Sequence, residues 1–272
     1  MHRSIPSSGE SLPVIGMGSW LTFDVGSSPA GRNQMGKVMA AFVKNGGRLI
    51  DSSPMYGSSE VVIGDLSQSL DVTHQLWIAT KVWTHGSENG RRQISQSRAL
   101  LKNDVKLHQI HNLRDLDKHY RTLREMKENG SLPYIGVTHY LSSEHNRLAT
   151  LLKDYPVDFL QINYNIDNPK AENILLPTAA DLGVAVIVNR PFQTGRLFDH
   201  VAGYPVPEWI KEYGVQSWAT YFLKFILANR HVTCAIPATT QVDHVIENLS
   251  AADGWIPTIE QQKKMLKDYQ EL

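Results

Sequence analysis

The sequence predicts an α/β protein: a (β/α)8 TIM barrel, a single domain over residues 1–272, with a short N-terminal β-hairpin. Three observations predict it. Eight short runs rich in Val, Ile and Leu recur along the chain, with little internal alternation, as suits a parallel sheet covered on both faces. Segments with helical apolar spacing separate them. No linker or low-complexity tract divides the 272 residues, a length that α/β barrels reach as one unit.

The elements follow in order. Residues Met1 to Leu12 carry the turn signal Ser7-Ser8-Gly9 between short alternating segments, which predicts a hairpin at the barrel floor. Val14-Ile15-Gly16-Met17-Gly18 is the first buried strand, and Val25-Gly26-Ser27-Ser28-Pro29 reads as a loop. Helical spacing runs from Met35 to Lys44 and stops at Asn45-Gly46-Gly47. Further strands are predicted at 48–51, 76–80, 105–110, 134–138, 158–163, 184–189 and 232–236. Helices are predicted at 58–69, 90–102, 116–129, 142–154, 172–182, 216–229 and 241–250. The longest loop runs from Arg190 to about Pro207, and one short helix follows Pro257. With so little C-terminal material, and a brief Asn112-Leu113-Arg114-Asp115 segment, an open and shallow pocket is expected.

Composition excludes several functions. Lys plus Arg and Asp plus Glu number 27 each, so no positive field collects nucleic acid or anionic lipid. No apolar stretch reaches the roughly 18 residues of a membrane span, and the first residues carry no apolar signal core. A cytoplasmic monomer is the expectation. Cys234 is the only cysteine, so no internal disulfide can form; its apolar surroundings predict a buried, inert thiol.

The chemistry collects at strand ends. The second strand ends in Asp51, with Tyr56 five residues on in a Ser/Pro-rich turn; the next ends with Lys81, and the one after with His111. Strand ends converge on one mouth of a barrel. An ammonium beside a phenol favours the phenolate, a carboxylate holds the ammonium in place, and a neutral imidazole can aim a substrate oxygen. Such a set can protonate a carbonyl oxygen while its carbon is attacked. A metal site at His111 with His108 and His139 is not expected, because residues three apart on a strand face opposite sides. No dinucleotide fingerprint Gly-x-Gly-x-x-Gly and no P-loop is present.

Seven motifs in order carry a resemblance. They are Gly16-Met17-Gly18-Ser19-Trp20, Ile50-Asp51-Ser52-Ser53-Pro54-Met55-Tyr56-Gly57, Ala79-Thr80-Lys81-Val82-Trp83, Gln109-Ile110-His111-Asn112, Tyr134-Ile135-Gly136-Val137-Thr138, Gln161-Ile162-Asn163-Tyr164 and Ala235-Ile236-Pro237-Ala238-Thr239. Together they span nearly the whole chain, which resembles the aldo-keto reductase superfamily. The resemblance implies a catalytic tetrad of Asp51, Tyr56, Lys81 and His111, a nicotinamide cofactor and a small carbonyl substrate. It places Gly18, Ser19, Trp20 and Trp83 at the mouth, with Trp20, Trp83, Tyr56 and His111 facing substrate. Thr138, His139 and Gln161 are implied to bind the carboxamide, His139 standing where Asn is usual. Asn189, Arg190, Pro191 and Phe192 adjoin the ring, Asn189 replacing a usual aromatic. Thr194, Gly195 and Leu197 are implied to run along the pyrophosphate. Pro237, Ala238, Thr239, Thr240, His244, Glu247 and Asn248 are implied to hold the adenosine end.

NADP-preferring relatives often have Lys and Arg at the Ala238 and His244 positions. That fixed charge is missing here, which favours NAD(H), but Thr239 and Thr240 can still bond a 2′-phosphate; NADP(H) is the expectation, with NAD(H) as the alternative. Two other functions stay open on the sequence: a cofactor-binding regulatory or structural protein of the same fold with little turnover, and a cofactor-independent barrel hydrolase or isomerase.

Overall fold

Strand alternation decides the architecture. In the computed structural model, which describes residues 1–272, strands β1 (His2–Ser4) and β2 (Ser11–Pro13) pair antiparallel as the predicted hairpin. Eight parallel strands follow: β3 (Met17–Gly18), β4 (Leu49–Asp51), β5 (Trp77–Val82), β6 (Val105–His111), β7 (Tyr134–His139), β8 (Phe159–Asn163), β9 (Ala185–Asn189) and β10 (Cys234–Ala235). Each pairs with the next in chain order. The remaining seam, between β10 and β3, is bridged in parallel at Ile15 and Ala235. There the Ala235 amide donates to the Val14 carbonyl and the Gly16 amide to the Ala235 carbonyl, each at 2.8 Å.

Eleven helices accompany the sheet: α1 (Pro29–Lys44), α2 (Ser59–Ser69), α3 (Ser87–Leu101), α4 (Leu116–Glu128), α5 (His145–Asp154), α6 (Leu175–Asp181), α7 (Arg196–His200), α8 (Glu208–Lys211), α9 (Trp218–Ala228), α10 (Val242–Ser250) and α11 (Ile259–Gln270). Helix α1 starts six residues before the predicted Met35. Ser28 accepts from the Gly31 amide and Pro29 occupies the first turn, so the supposed loop residues are a cap and a helix start. The predicted loop from Arg190 to Pro207 contains α7, and α8 begins just beyond it. The predicted helix at 172–182 is shorter, preceded by a 3-10 turn at Pro169–Glu172.

Because side chains alternate along a strand, each barrel strand sends one set inward and one outward. The outward set, including Ile50, Ile78, Ile110, Val137, Leu160 and Val186, packs against the helices in a core of 57 buried residues. The inward set forms a separate core of twelve residues: Leu49, Trp77, Ala79, Leu107, Tyr134, Phe159, Ala185, Ile187, Cys234 and Ile236, plugged from below by Ile5 and Leu12 of the hairpin segment. Cys234 is fully buried there, and burial pushes its thiol well up, in line with an inert role. The floor is tied polar-to-polar at its rim. Tyr134 donates to Glu10 at 2.6 Å, and the Trp77 indole donates to the same carboxylate at 3.1 Å.

Two residues further along each strand, the inward positions turn polar. Leu49 gives way to Asp51, Ala79 to Lys81, Leu107 to Gln109 and then His111, Gly136 to Thr138, Phe159 to Gln161 and Ile187 to Asn189. Gly136 makes the change of register fit. A Cβ there would come 2.7 Å from the Phe159 carbonyl oxygen and 3.1 Å from Gln109 Cγ. The sheet therefore delivers its ionisable groups to one end, over a dry floor. No helix is long and apolar enough to cross a membrane.

Candidate functional site

The inward polar positions meet in one buried network. Lys81, 1% exposed, donates to Asp51 Oδ2 at 2.6 Å and to the Ser52 carbonyl at 2.7 Å. Asp51 also accepts from Gln161 at 3.2 Å and from Gln109 at 3.3 Å. Gln109 in turn donates to Gln161 Oε1 at 2.7 Å. An ammonium has three protons, and two are held by Asp51 and Ser52. The Tyr56 ring lies on the remaining side, its centroid 5.1 Å from Nζ.

Tyr56 is placed by its turn. Asp24 accepts from both the amide and the hydroxyl of Ser58 at 2.7 Å, which pins the chain just beyond the tyrosine. Those two bonds hold the Asp24 carboxyl below its ordinary range. The ring stands edge-on to His111, with centroids 5.8 Å apart and planes at 86°. Ser53 Oγ lies 3.0 Å from His111 Nδ1 and accepts the Met55 amide at 3.2 Å.

Electrostatics fix the protonation states. Burial, Lys81 and then His139 lower the His111 imidazole to about 3, so it is neutral near physiological pH. Burial pulls the Lys81 ammonium down, but Asp51 and Tyr56 outweigh it and the group sits above its ordinary value. Burial raises the Asp51 carboxyl, against the opposing pull of Lys81, Gln161 and Gln109. Burial also raises the Tyr56 phenol. The expected depression by Lys81 is present as the main opposing influence, but burial exceeds it. Tyr56 therefore holds its proton with Lys81 alongside.

A cavity of about 500 Å³ opens above the network. Its wall includes Asp51, Tyr56 and His111 of the predicted tetrad, with Lys81 packed behind Asp51. Of the residues predicted for cofactor, the wall gathers Gly18, Ser19, Trp20, Thr138, Gln161, Asn189, Arg190, Pro191, Phe192, Thr194, Gly195 and Ala238. Others stand apart. Leu197 is 1% exposed and packs in the outer core. His139 stacks on Tyr140 beside the cavity, its Nδ1 accepting from the Leu141 amide at 3.2 Å. The Pro237 carbonyl accepts from the Gly18 amide at 3.1 Å. The Thr240 carbonyl accepts from Gln34 at 2.7 Å. Thr239 Oγ1 and His244 Nδ1 lie 3.4 Å apart at the start of α10. Glu247 lines a different surface groove, and Asn248 is buried in α10. Trp83 is not part of the wall. The Arg114 guanidinium lies 4.5 Å over its ring, which is 6.4 Å from His111.

The wall also contains residues that sequence reading missed: Met55, Asn112, Tyr140, Phe198 and Ile236. Phe198 comes from α7 and rests on Phe192 and Phe222, at centroid distances of 5.0 and 5.8 Å. It and Tyr140 supply walls that the open-pocket expectation did not count. Gln109 was the other omission. Its signal was present, since a residue two before His111 on a strand must share its face.

Asn189 Oδ1 is buried without a partner while its residue faces the cavity. A buried acceptor of this kind is costly unless a ligand completes it. No group of three or more His, Cys, Asp or Glu converges to hold a metal ion.

Comparison with known proteins agrees with the fold. The chain is 26% identical over 251 residues to glyoxal reductase of Bacillus subtilis, across 90% of this chain and 85% of that protein. In fold it is similar to an aldo-keto reductase of Klebsiella pneumoniae in complex with NADPH. That likeness has a TM-score of 0.80 and 21% identity, over 99% of this chain and 95% of the other. The holo form of an aldo-keto reductase from Bacillus halodurans gives a TM-score of 0.79 at 19% identity, over 98% and 95% of the two chains. The model of the Aldo/keto reductase family matches residues 14–265, and the chain belongs to that family.

Proposed function

We propose that this protein reduces the carbonyl group of small aldehydes or ketones with NADP(H), Tyr56 acting as general acid. The observation that carries the reading is the Lys81–Asp51 ion pair at 2.6 Å, set behind Tyr56 with a neutral His111 facing the phenol. Lys81 has a proton to spare toward the phenol, which favours the phenolate left after proton transfer. Asp51 holds Lys81 charged and in place. The Ser53 hydroxyl accepts the Met55 amide and has one proton of its own, which it can give to His111 Nδ1. That tautomer leaves Nε2–H as a donor to the substrate oxygen. In the reverse reaction Tyr56 takes the proton back.

The residues fit a nicotinamide dinucleotide. The unpaired Asn189 Oδ1 would accept from the carboxamide, and Gly195, at φ 97°, presents backbone without a side chain at the cavity wall. Gln161 already spends its oxygen on Gln109 and one proton on Asp51, so it has one proton left for a ligand. A bound dinucleotide supplies the hydride that no side chain can. Thr239 and His244 would take the adenosine end. Support for NADP(H) over NAD(H) comes from the Klebsiella relative, which is in complex with NADPH. Support for a small carbonyl substrate comes from the glyoxal reductase relative.

The test is a tryptophan-fluorescence titration with NADPH and NADH side by side, followed by loss of reduced-nicotinamide absorbance with a panel of aldehydes. Quenching by NADPH at lower concentration than NADH, with aldehyde-dependent oxidation, is expected. Binding without turnover across the panel would instead favour a regulatory protein, and no binding would sink the reading.

A further inference from the structure

The proposed reaction leaves open which carbonyl compounds are preferred, and one side chain in the cavity wall narrows the class. Arg190 follows β9 with φ at 49°, a left-handed conformation unfavourable for a residue with a side chain. The turn is held from both sides: the Arg190 carbonyl accepts from Asn165 Nδ2 at 3.0 Å and from the Gln193 amide at 3.0 Å. Its guanidinium lies between two rings of the wall, 4.2 Å over Tyr140 and 5.6 Å over Trp20. It makes no hydrogen bond and no ion pair with any other group of the chain. Five N–H donors with a fixed charge therefore stand at the cavity without a partner.

The charge is uncompensated as well as unbonded. Among the wall residues, Asp51 is matched by Lys81, while His111 and Tyr56 are neutral. Arg190 is the remaining charge. It is near enough to Tyr56 for that charge to act on the phenol. A guanidinium resting near two aromatic rings has already lost part of its freedom, so less is lost when it pairs with a carboxylate or phosphate.

We propose that Arg190 receives an anionic group on the substrate, so that the preferred substrates are aldehydes or ketones carrying a carboxylate or a phosphate. This rests on the carbonyl-reductase reading of the cavity. The sequence resemblance alone would assign Arg190 to the cofactor. The guanidinium instead lies beside Trp20 and Tyr140, near enough to Tyr56 for its charge to reach the phenol.

The experiment compares matched pairs: 4-carboxybenzaldehyde with benzaldehyde, and glyceraldehyde 3-phosphate with glyceraldehyde. The expected result is an anionic-to-neutral ratio of kcat/KM well above one for at least one pair. The pair that shows it tells carboxylate from phosphate. Arg190→Ala should lower that ratio by about 10- to 100-fold, the usual worth of a charge-assisted hydrogen bond. Arg190→Lys should keep part of it, since charge remains without the planar fork. NADPH affinity is measured by fluorescence on each variant. A wild-type ratio near one, or a ratio unmoved in Arg190→Ala, overturns the proposal. So does a uniform fall with every aldehyde joined to weaker NADPH binding, which would assign Arg190 to the cofactor. Inactivity of the wild-type protein toward all four aldehydes, neutral ones included, would count against the reductase reading itself.

Discussion

The floor and the mouth of the barrel are made by the same strands and differ by two residues of register. At the floor, Leu49, Ala79, Leu107 and Phe159 face inward and touch only apolar neighbours and the hairpin plug. At the mouth, Asp51, Lys81, Gln109 and Gln161 occupy the next inward positions and hydrogen-bond one another, with Gln109 Oε1 alone left without a partner. The floor is stabilised by burial and packing, which tolerate exchange among apolar residues of similar volume. The mouth is stabilised by pairing, which does not survive loss of one partner. The floor also sets the electrostatics above it, because a dry core beneath Lys81 strengthens every interaction the ammonium makes.

That contrast can be tested by disturbing one region at a time. The largest effect is expected at Lys81. Lys81→Met leaves the Asp51 carboxylate buried without its partner. The expected cost is about 3–5 kcal/mol of stability, as for other broken buried pairs. A fall in kcat of about 100- to 10,000-fold should accompany it, the usual worth of a positioned acid. Chemical denaturation and steady-state assays on the same preparation check both. Phe159→Ala, at a fully buried floor position, should cost about 3–5 kcal/mol as well. Its kcat per folded molecule should stay near that of the parent. A catalytic loss as large as that of Lys81→Met would break the separation of floor from mouth.

Acid should act most strongly through two of the histidines that burial lowers. His108 faces the helices, fully buried with both nitrogens unpaired, and burial, with Arg98 adding to it, lowers it to about 3. His111 is lowered to about 3 as well. A histidine with a depressed folded value binds its proton more readily in the unfolded chain. Its stabilisation is present above the unfolded value near 6.5 and is lost as pH falls toward 3. Each should cost roughly 1.4 kcal/mol per pH unit in that window. His108→Leu should lower the slope by roughly 1.4 kcal/mol per pH unit in denaturation measured between about pH 6 and 4, and leave the kcat profile alone. An unchanged slope would contradict the burial argument. The smallest effect is expected at the boundary. Gly136→Ala presses a methyl against the Phe159 carbonyl and Gln109, for about 1–3 kcal/mol.

Much of this organisation was readable in the chain because it depends on short periods. Runs of Val, Ile and Leu mark the strands, and a residue at a strand end such as Asp51, Lys81 or His111 needs only its position to be placed at the mouth. What was not readable depends on turns. Arg190, Gln193 and Thr194 all take positive φ without being glycine, so nothing local announced that α7 would fold back and bring Phe198 into the cavity. The same turn sends the Leu197 side chain into the core. Trp83, expected to face substrate, stands 6.4 Å from His111, and Arg114, at the end of a segment read as merely brief, lies 4.5 Å over its ring. Gln109 was legible by its spacing from His111, which puts both on one face of β6.

The central claim is that Tyr56 gives the proton, with Lys81 behind it. Its most direct measurement is single-turnover reduction by Tyr56→Phe at saturating NADPH. The expected result is NADPH affinity close to that of the parent and a chemical step slowed by at least about 100-fold. A chemical step at the parent rate, with the cofactor still bound, would contradict it.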